Sequence, residues 1–314
     1  MEKTNPSLLD VRDLTVSFTT NGKKIEICSH ISFSIGQNER IGLIGESGCG
    51  KTIVALSLLM LLPDNATVSG DIWFKGSNLS LCSDEEIRKV RGNEISMIFE
   101  QPKTCLNPVF SIGWQINESI KKTSDMSDID LVQRSKDLLA SVGIDPGRYH
   151  QYPHQMSGGM QQRVMIAMAM ASHPKLLIAD EPTTALDLIY QAQILDLVKE
   201  KITTSNASLF IITHDLDIAA ELCDRVMVMY AGEIVEICDI TKFINGPAHP
   251  YSVALVKAIE GSSCNPIPGA VPEFGNLPPG CRFHPRCTQY SKKCSFISPR
   301  LRQKESGYVR CHFA

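Results

Sequence analysis

The chain has 314 residues, enough for one large domain or two modest ones. Hydrophobic residues make up 43%, charged residues 21%, and the formal net charge is −3, the make-up of an ordinary globular protein without a Lys/Arg block to attract nucleic acid. The longest apolar run, IVALSLLMLL, is far short of a membrane span, and the polar N-terminus MEKTNPSLLD lacks the apolar stretch of a signal peptide, so the chain is expected in the cytosol with any membrane role peripheral.

Residues 9–45 alternate strand-like runs and turns: LDVRDLTVSF (9–18), the turn NGKK (21–24), ISFSIG (31–36) and the short apolar strand ERIGLIG (39–45). TIVALSLLMLL (52–62) reads as an apolar helix that stops at Pro63. IDLVQRSKDLLASVGI (129–144) has helical spacing, with Leu131, Val132, Leu138, Leu139 and Val142 on one side, and VMIAMAMA (164–171) reads as a buried helical segment. KLLIAD (175–180), SLFIITH (208–214) and RVMVMY (225–230) suit central parallel strands, with LIYQAQILDLVKEKI (188–202) as the helix between two of them. Strands alternating with helices predict an α/β sheet with crossovers. After about residue 245 Pro and Gly become frequent and periodicity fades, so 246–314 is read as an irregular C-terminal extension.

The chemistry is concentrated in a few motifs. GESGCGKT (45–52) satisfies G-x-x-x-x-G-K-[ST] through Gly45, Gly50, Lys51 and Thr52, between a predicted strand and a predicted helix. A strand, a Gly-rich turn and a helix N-terminus make an anion cradle in which backbone N–H groups and the helix dipole favour phosphate. Lys51 would reach the outer phosphates and the Thr52 hydroxyl would ligate Mg2+. KLLIADEP (175–182) is an apolar strand ending in two carboxylates, which need partners. Beside a phosphate loop, Asp180 would hold Mg2+ and Glu181 would polarise the attacking water. The Ser-Gly-Gly turn of MSGGMQQR (156–163) leads into a helix and could face phosphate, or could be an ordinary cap. SLFIITHD ends in His214, a structural residue in isolation but a γ-phosphate donor at the ligand-bearing edge of a parallel sheet.

Phosphate loop, Ser-Gly-Gly turn, carboxylate pair, Ala-Leu-Asp (within TALD, 184–187) and strand-end His214 stand in the order seen in ATP-binding-cassette (ABC) ATPases, and over about residues 8–240 the chain resembles that family. The resemblance implies a RecA-like P-loop core with an inserted helical subdomain, roughly 99–161, within a nucleotide-binding domain over 1–245. It also implies two cassettes docked head to tail, each ATP lying between the phosphate loop of one and the signature turn of the other. Gly45, Glu46, Ser47, Gly48, Cys49, Gly50, Lys51 and Thr52 would surround this chain's own nucleotide. Ser157, Gly158 and Gly159 would serve the partner's, and Asp187 would report across the interface. Phe18 occupies the position of the aromatic that stacks on adenine; its alternative is a strand core residue. Cys49 stands where the family often has Ser, at a position served mainly by its backbone.

A finer resemblance, carried by MIFEQPKTCLNP (97–108), YPHQMSGGMQQRVMIAMAM (152–170), AHPYSVAL (248–255) and GCRFHPRC (280–287), is to ATPase subunits of oligopeptide, dipeptide and nickel importers. It implies a paralogous ATPase as heterodimer partner, two membrane permeases, an extracytoplasmic binding protein and a station at the cytoplasmic face of the membrane. One departure stands out. Where the family reads Phe-Gln-Asp/Glu-Pro, this chain reads Phe99-Glu100-Gln101-Pro102. Glu100 can still ligate Mg2+ but adds negative charge beside a triphosphate, unless Gln101 reaches in instead.

Of eleven cysteines, Cys281, Cys287, Cys294 and Cys311 crowd into the last 34 residues as C-x5-C-x6-C-x16-C. There is no tight C-x2-C pair of the zinc type. Four thiolates on irregular backbone suit a [4Fe–4S] cluster, which the resemblance to dipeptide-importer ATPases also implies; zinc and unligated thiols are the alternatives. The expected function is ATP hydrolysis driving permeases that import peptides, nickel or metal chelates, with Lys51, Glu181 and His214 catalytic. The competing readings are a non-transport ABC ATPase and a catalytically impaired ATP-binding partner of a paralogous ATPase.

Overall fold

The structure, a computed structural model, describes residues 7–121, 124–184, 187–259, 267–304 and 307–314. Ala185 and Leu186 of the Ala-Leu-Asp motif, and Cys264, lie outside the described residues. The chain forms two compact units, one made of residues up to 81 with 211–314, the other of 82–210.

The first unit opens with strands β1 (Leu9–Thr20) and β2 (Lys23–Ile35), paired antiparallel. The pairing of β1 shifts between Val11 and Leu14, where Asp13 takes a left-handed φ of 54°. That bulge lets Val11, Leu14 and Val16 all face the core despite their uneven spacing. β3 (Arg40–Ile44) follows, with Ile41, Leu43 and Ile44 fully buried, and runs into α1 (Lys51–Leu58). β4 (Ala66–Phe74) and β5 (Ser77–Asn78) complete a four-stranded sheet in the order β2-β1-β4-β5.

α1 is shorter than the apolar run predicted. It ends at Leu58 because Met60 adopts φ 51°, and the N–H groups of Met60 and Leu61 bond back to the carbonyls of Ser57 and Leu56 at 3.0 and 2.9 Å. This is a Schellman stop built on methionine, several residues ahead of Pro63.

The second unit begins with α2 (Asp84–Val90), whose start is fixed by a capping box between Ser83 and Glu86. β6 (Ile95–Ile98) lies parallel to β7 (Leu176–Asp180). Between them come α3 (Pro102–Cys105), α4 (Ile112–Lys121), α5 (Asp128–Ser141) and α6 (Gly158–Met170). α4 packs on α5 and α6. Leu131, Leu138 and Leu139 of α5 are buried as their spacing predicts. The seam also has a polar component. Ser135 donates to Asn117 (2.6 Å), Asn117 donates to the Tyr149 hydroxyl (2.8 Å), and the Tyr149 ring lies where a side chain on Gly113 would be. α7 (Leu188–Ser205) closes this unit, ending at Asn206 in the left-handed conformation.

β8 (Ser208–Thr213) carries the chain back to the first unit. After α8 (Leu216–Leu222), β9 (Arg225–Tyr230) runs parallel to β3, with β10 (Glu233–Asp239) antiparallel to β9. α9 (Ile240–Asn245) and α10 (Pro250–Ile259) follow. The C-terminal region is less irregular than its composition predicts. Besides α10 it contributes β11 (Arg302–Lys304) and β12 (Gly307–Val309), the latter pairing with β10. Composition missed this order because the segment is held by contacts to the core and not by its own periodicity. Glu236 of β10, itself buried, accepts the backbone N–H groups of Ala248 and His249 at 2.7 and 2.8 Å and so seats the start of α10.

Candidate active site

β3 delivers the chain into 45–50 as a tight loop, and Gly45 is where glycine is compulsory. Its φ is 157°, and a Cβ there would lie 2.3 Å from the carbonyl oxygen of Met229. The end of β9 is thus in backbone contact with the loop, and the Gly232 N–H holds the Cys49 carbonyl at 2.9 Å. Gly50, with φ 106°, is the N-cap of α1 and brings no side chain to its N-terminal amides. The sequence expectation of an anion-binding element falls on those amides.

Lys51 is 5% exposed, and its ammonium bonds to the carbonyl oxygens of Gly45 (2.8 Å) and Glu46 (3.1 Å). Phosphate oxygens carry charge and compete well for such a cation. Thr52 is exposed at the second helical position, available to a metal ion. Burial pushes the Cys49 thiol up although Lys51 opposes it, so Cys49 acts as a small packing group and not as a nucleophile.

Glu46 differs from the simplest expectation of a phosphate ligand. Its side chain is gripped by Arg286 (2.7 and 3.0 Å), and its backbone N–H donates to the Tyr251 hydroxyl (2.9 Å). Arg286, Tyr251 and the neighbouring Tyr230 went unassigned in the sequence reading. The Arg of FHPRC and the Tyr of AHPY were the available signals, but nothing in a linear sequence ties them to a loop some 200 residues earlier. Phe18 is half-buried on β1, opposite Ile25 and Ala66. His214 is exposed immediately after β8, and Asp215 beside it caps α8 by accepting from Asp217 and Ile218 (2.8 and 3.4 Å).

The remaining residues belong to the second unit. Asp180 ends β7 and is 2% exposed. Glu181 turns the chain sharply with φ 44°, a left-handed conformation unusual for glutamate and typical of functional turns. Its carboxylate accepts from the Thr184 hydroxyl at 2.9 Å. Ser157 caps α6 by accepting from the Met160 N–H at 3.3 Å, and Asp187 caps α7 by accepting from Tyr190 at 3.1 Å. The ordinary capping role is therefore present in both. Gly158 adds something a cap does not need: among the described residues, nothing lies within 4 Å of where its Cβ would stand. Gly159 faces the Tyr190 ring at 3.5 Å. Glu100 is half-buried after β6, and exposed Gln101 precedes α3.

In the tail, Cys281 is lifted to about 11, first by burial and further by the thiols of Cys294, Cys287 and Cys311. The Cys281 N–H bonds to the Cys294 carbonyl at 2.8 Å. Cys281 and Cys294 are thus joined through their backbone, and cysteine thiolates are soft donors of the kind that zinc or iron takes. The arrangement of the four cysteines is not that of a closed site: among the described residues, no group of three or more His, Cys, Asp or Glu side chains is placed to hold a metal ion.

A parallel β–loop–α phosphate cradle, a strand ending in paired carboxylates and a Ser-capped Gly-Gly helix start define a P-loop nucleotide-binding cassette. Comparison with known proteins agrees. Residues 28–184 match the ABC transporter family, and 235–294 match the oligopeptide/dipeptide transporter C-terminal region. The chain is 42% identical to the oligopeptide transport ATP-binding protein AppD of Bacillus subtilis over 315 residues, covering 97% of this chain and 96% of that one. It is 40% identical to the oligopeptide transport ATP-binding protein OppD of Escherichia coli over 314 residues, covering 98% and 93%. The fold is that of the dimeric ATP-binding cassette MJ0796 in its post-hydrolysis state bound to ADP and Pi, at TM-score 0.66 and 24% identity over 74% of this chain and 98% of that one. The chain belongs to the ABC transporter family as one of its ATP-binding subunits, and it is an ATPase. Among the described residues, no helix is long and apolar enough to cross a membrane.

Proposed function

We propose that this chain is the ATP-hydrolysing subunit of an importer of di- or oligopeptides, working at the cytoplasmic face of the membrane. The end-to-end likeness to oligopeptide and dipeptide transport subunits, C-terminal region included, carries this reading. Lys51 and the loop amides hold the phosphates. Thr52 and Asp180, with Glu100, hold Mg2+, and Glu181 orients water while His214 contacts the γ-phosphate. Catalysis is then positioning and charge neutralisation. Ser157, Gly158 and Gly159 serve the nucleotide of a second, paralogous cassette; the open space over Gly158 leaves room for a ligand from outside the chain. Phe110 and Trp114 stack at 3.9 Å and are 38% and 43% exposed, an apolar platform suited to a permease. An extracytoplasmic binding protein supplies the cargo.

The four tail cysteines are proposed to hold a [4Fe–4S] cluster as a structural staple, with zinc as the alternative. Iron with equimolar acid-labile sulfide in anaerobically prepared protein is expected; zinc without sulfide contradicts it. Uptake of labelled dipeptides, tetrapeptides and nickel by vesicles holding the assembled transporter tests the cargo: peptide uptake is expected, and nickel uptake alone overturns it. A second reading, an impaired ATP site working beside a catalytic paralogue, is favoured by Glu100 alone. Glu181→Gln in the assembled transporter separates the two, since unchanged turnover places the active site in the paralogue.

A further inference from the structure

We infer that Arg286 is a positioning residue for the phosphate loop, and that through it the C-terminal region sets the affinity of the nucleotide site. The inference rests on reading 45–52 as the loop that binds ATP. Three groups of one residue, Glu46, are tethered separately. Its carbonyl accepts from Lys51 at 3.1 Å, its N–H donates to Tyr251 at 2.9 Å, and its carboxylate takes both arms of Arg286. The peptide that orients the loop's lysine is thus fixed from the tail side.

Arg286 is built for this task. Its side chain is 4% exposed, and its five N–H donors are all used: two on Glu46, one each on the carbonyls of Pro268 (2.9 Å) and Ile267 (3.2 Å), and one on the Tyr230 hydroxyl (3.3 Å). The guanidinium also lies 5.7 Å from the centre of the Tyr230 ring. Tyr230, Tyr251 and Phe283 form one aromatic cluster with centroids 4.7 to 5.3 Å apart, so the anchor itself is held rigidly. Lysine has three donors in a different geometry and cannot reproduce the fork. A carboxylate bound this way does not swing towards a triphosphate, where its charge would oppose binding. Arg286 therefore does two things for the nucleotide: it fixes the loop's backbone before ATP arrives, and it pairs the charge of the loop's own acid, Glu46.

The test is Mg–ATP binding to the full-length chain, with thermal unfolding recorded alongside, for wild type, Arg286→Lys, Arg286→Gln, Glu46→Gln and the Arg286→Gln/Glu46→Gln pair. Arg286→Gln is expected to raise the Kd for Mg–ATP about tenfold, with Arg286→Lys in between. The double variant is expected to be no weaker than the worse single one, because both changes break the same contact. In the assembled transporter the KM for ATP should rise more than kcat falls. A Kd within about twofold of wild type for folded Arg286→Gln, or single-variant effects that multiply in the double, overturns the inference, and so does a lowered melting temperature with unchanged Kd. If Arg286→Gln does not fold, Arg286→Lys and Glu46→Gln decide by the same criterion. A wild-type chain that fails to bind Mg–ATP removes the phosphate-loop reading first and this inference with it.

Discussion

Residue identity explains most where backbone geometry leaves no choice. Gly45 is fixed by the Met229 carbonyl, and Glu181 is held in a left-handed turn that places a carboxylate after a fully buried strand. Glu100 stands where the resemblance implies a glutamine, and it is proposed above as an Mg2+ ligand. Loss of that ligand should outweigh the relief of its charge beside the phosphates, so Glu100→Gln is expected to raise the Kd for Mg–ATP. A lower Kd would mean that its charge opposes binding and that Glu100 is not a metal ligand. His249 gives a prediction in pH. Burial holds its imidazole down to about 3, against 6.5 when unperturbed, and its Nδ1 accepts from the Tyr251 N–H at 3.1 Å. The unfolded chain therefore binds the extra proton first on acidification. The stability contributed by neutral His249 is complete above 6.5 and is lost as pH falls towards 3, with a slope of about 1.4 kcal/mol per pH unit. Denaturant unfolding between pH 7 and 4 should show a flatter decline in His249→Gln than in wild type; parallel curves would show that another group governs the acid limb.

At the scale of elements, local signals were legible wherever a segment's own pattern decided its structure. The buried strands β3, β7, β8 and β9, the amphipathic α5 and the phosphate loop could all be read from apolar runs, spacing and glycine placement. The end of α1 could not, because Met60 in a left-handed stop carries no sequence signature. α10, β11 and β12 were also missed, since partners on β10 and not local periodicity hold them. The α4–α5 seam shows the same limit. Its Ser135–Asn117–Tyr149 chain of hydrogen bonds joins residues far apart in sequence, over a glycine whose smallness only the Tyr149 ring explains. Gly113→Ala would place a methyl 2.3 Å from that ring and should destabilise this unit by about 1–3 kcal/mol through overpacking. A denaturant midpoint equal to wild type would show that α4 shifts freely to make room.

Over the whole molecule, the nucleotide chemistry was readable because its motifs are short, ordered and chemically demanding. The role of the C-terminal region was not. Its cysteines drew attention by spacing, whereas its contact with the site runs through Arg286 and Tyr251, one pairing an acid and the other accepting a backbone N–H. If two cassettes pair as proposed, one chain supplies half of each composite site, so activity should depend on a second cassette. The purified chain alone is expected to bind Mg–ATP yet turn over slowly, with full hydrolysis only in the assembled transporter; equal turnover by the isolated chain would remove the need for a partner.

ATP hydrolysis by the reconstituted transporter, compared between wild type and Lys51→Ala in this chain at saturating peptide and binding protein, tests the central claim most directly. Loss of the phosphate-loop cation should reduce turnover about 100-fold or more and abolish peptide uptake with it. Hydrolysis and uptake at the wild-type rate with Lys51→Ala would contradict the assignment of this loop as the site that powers transport.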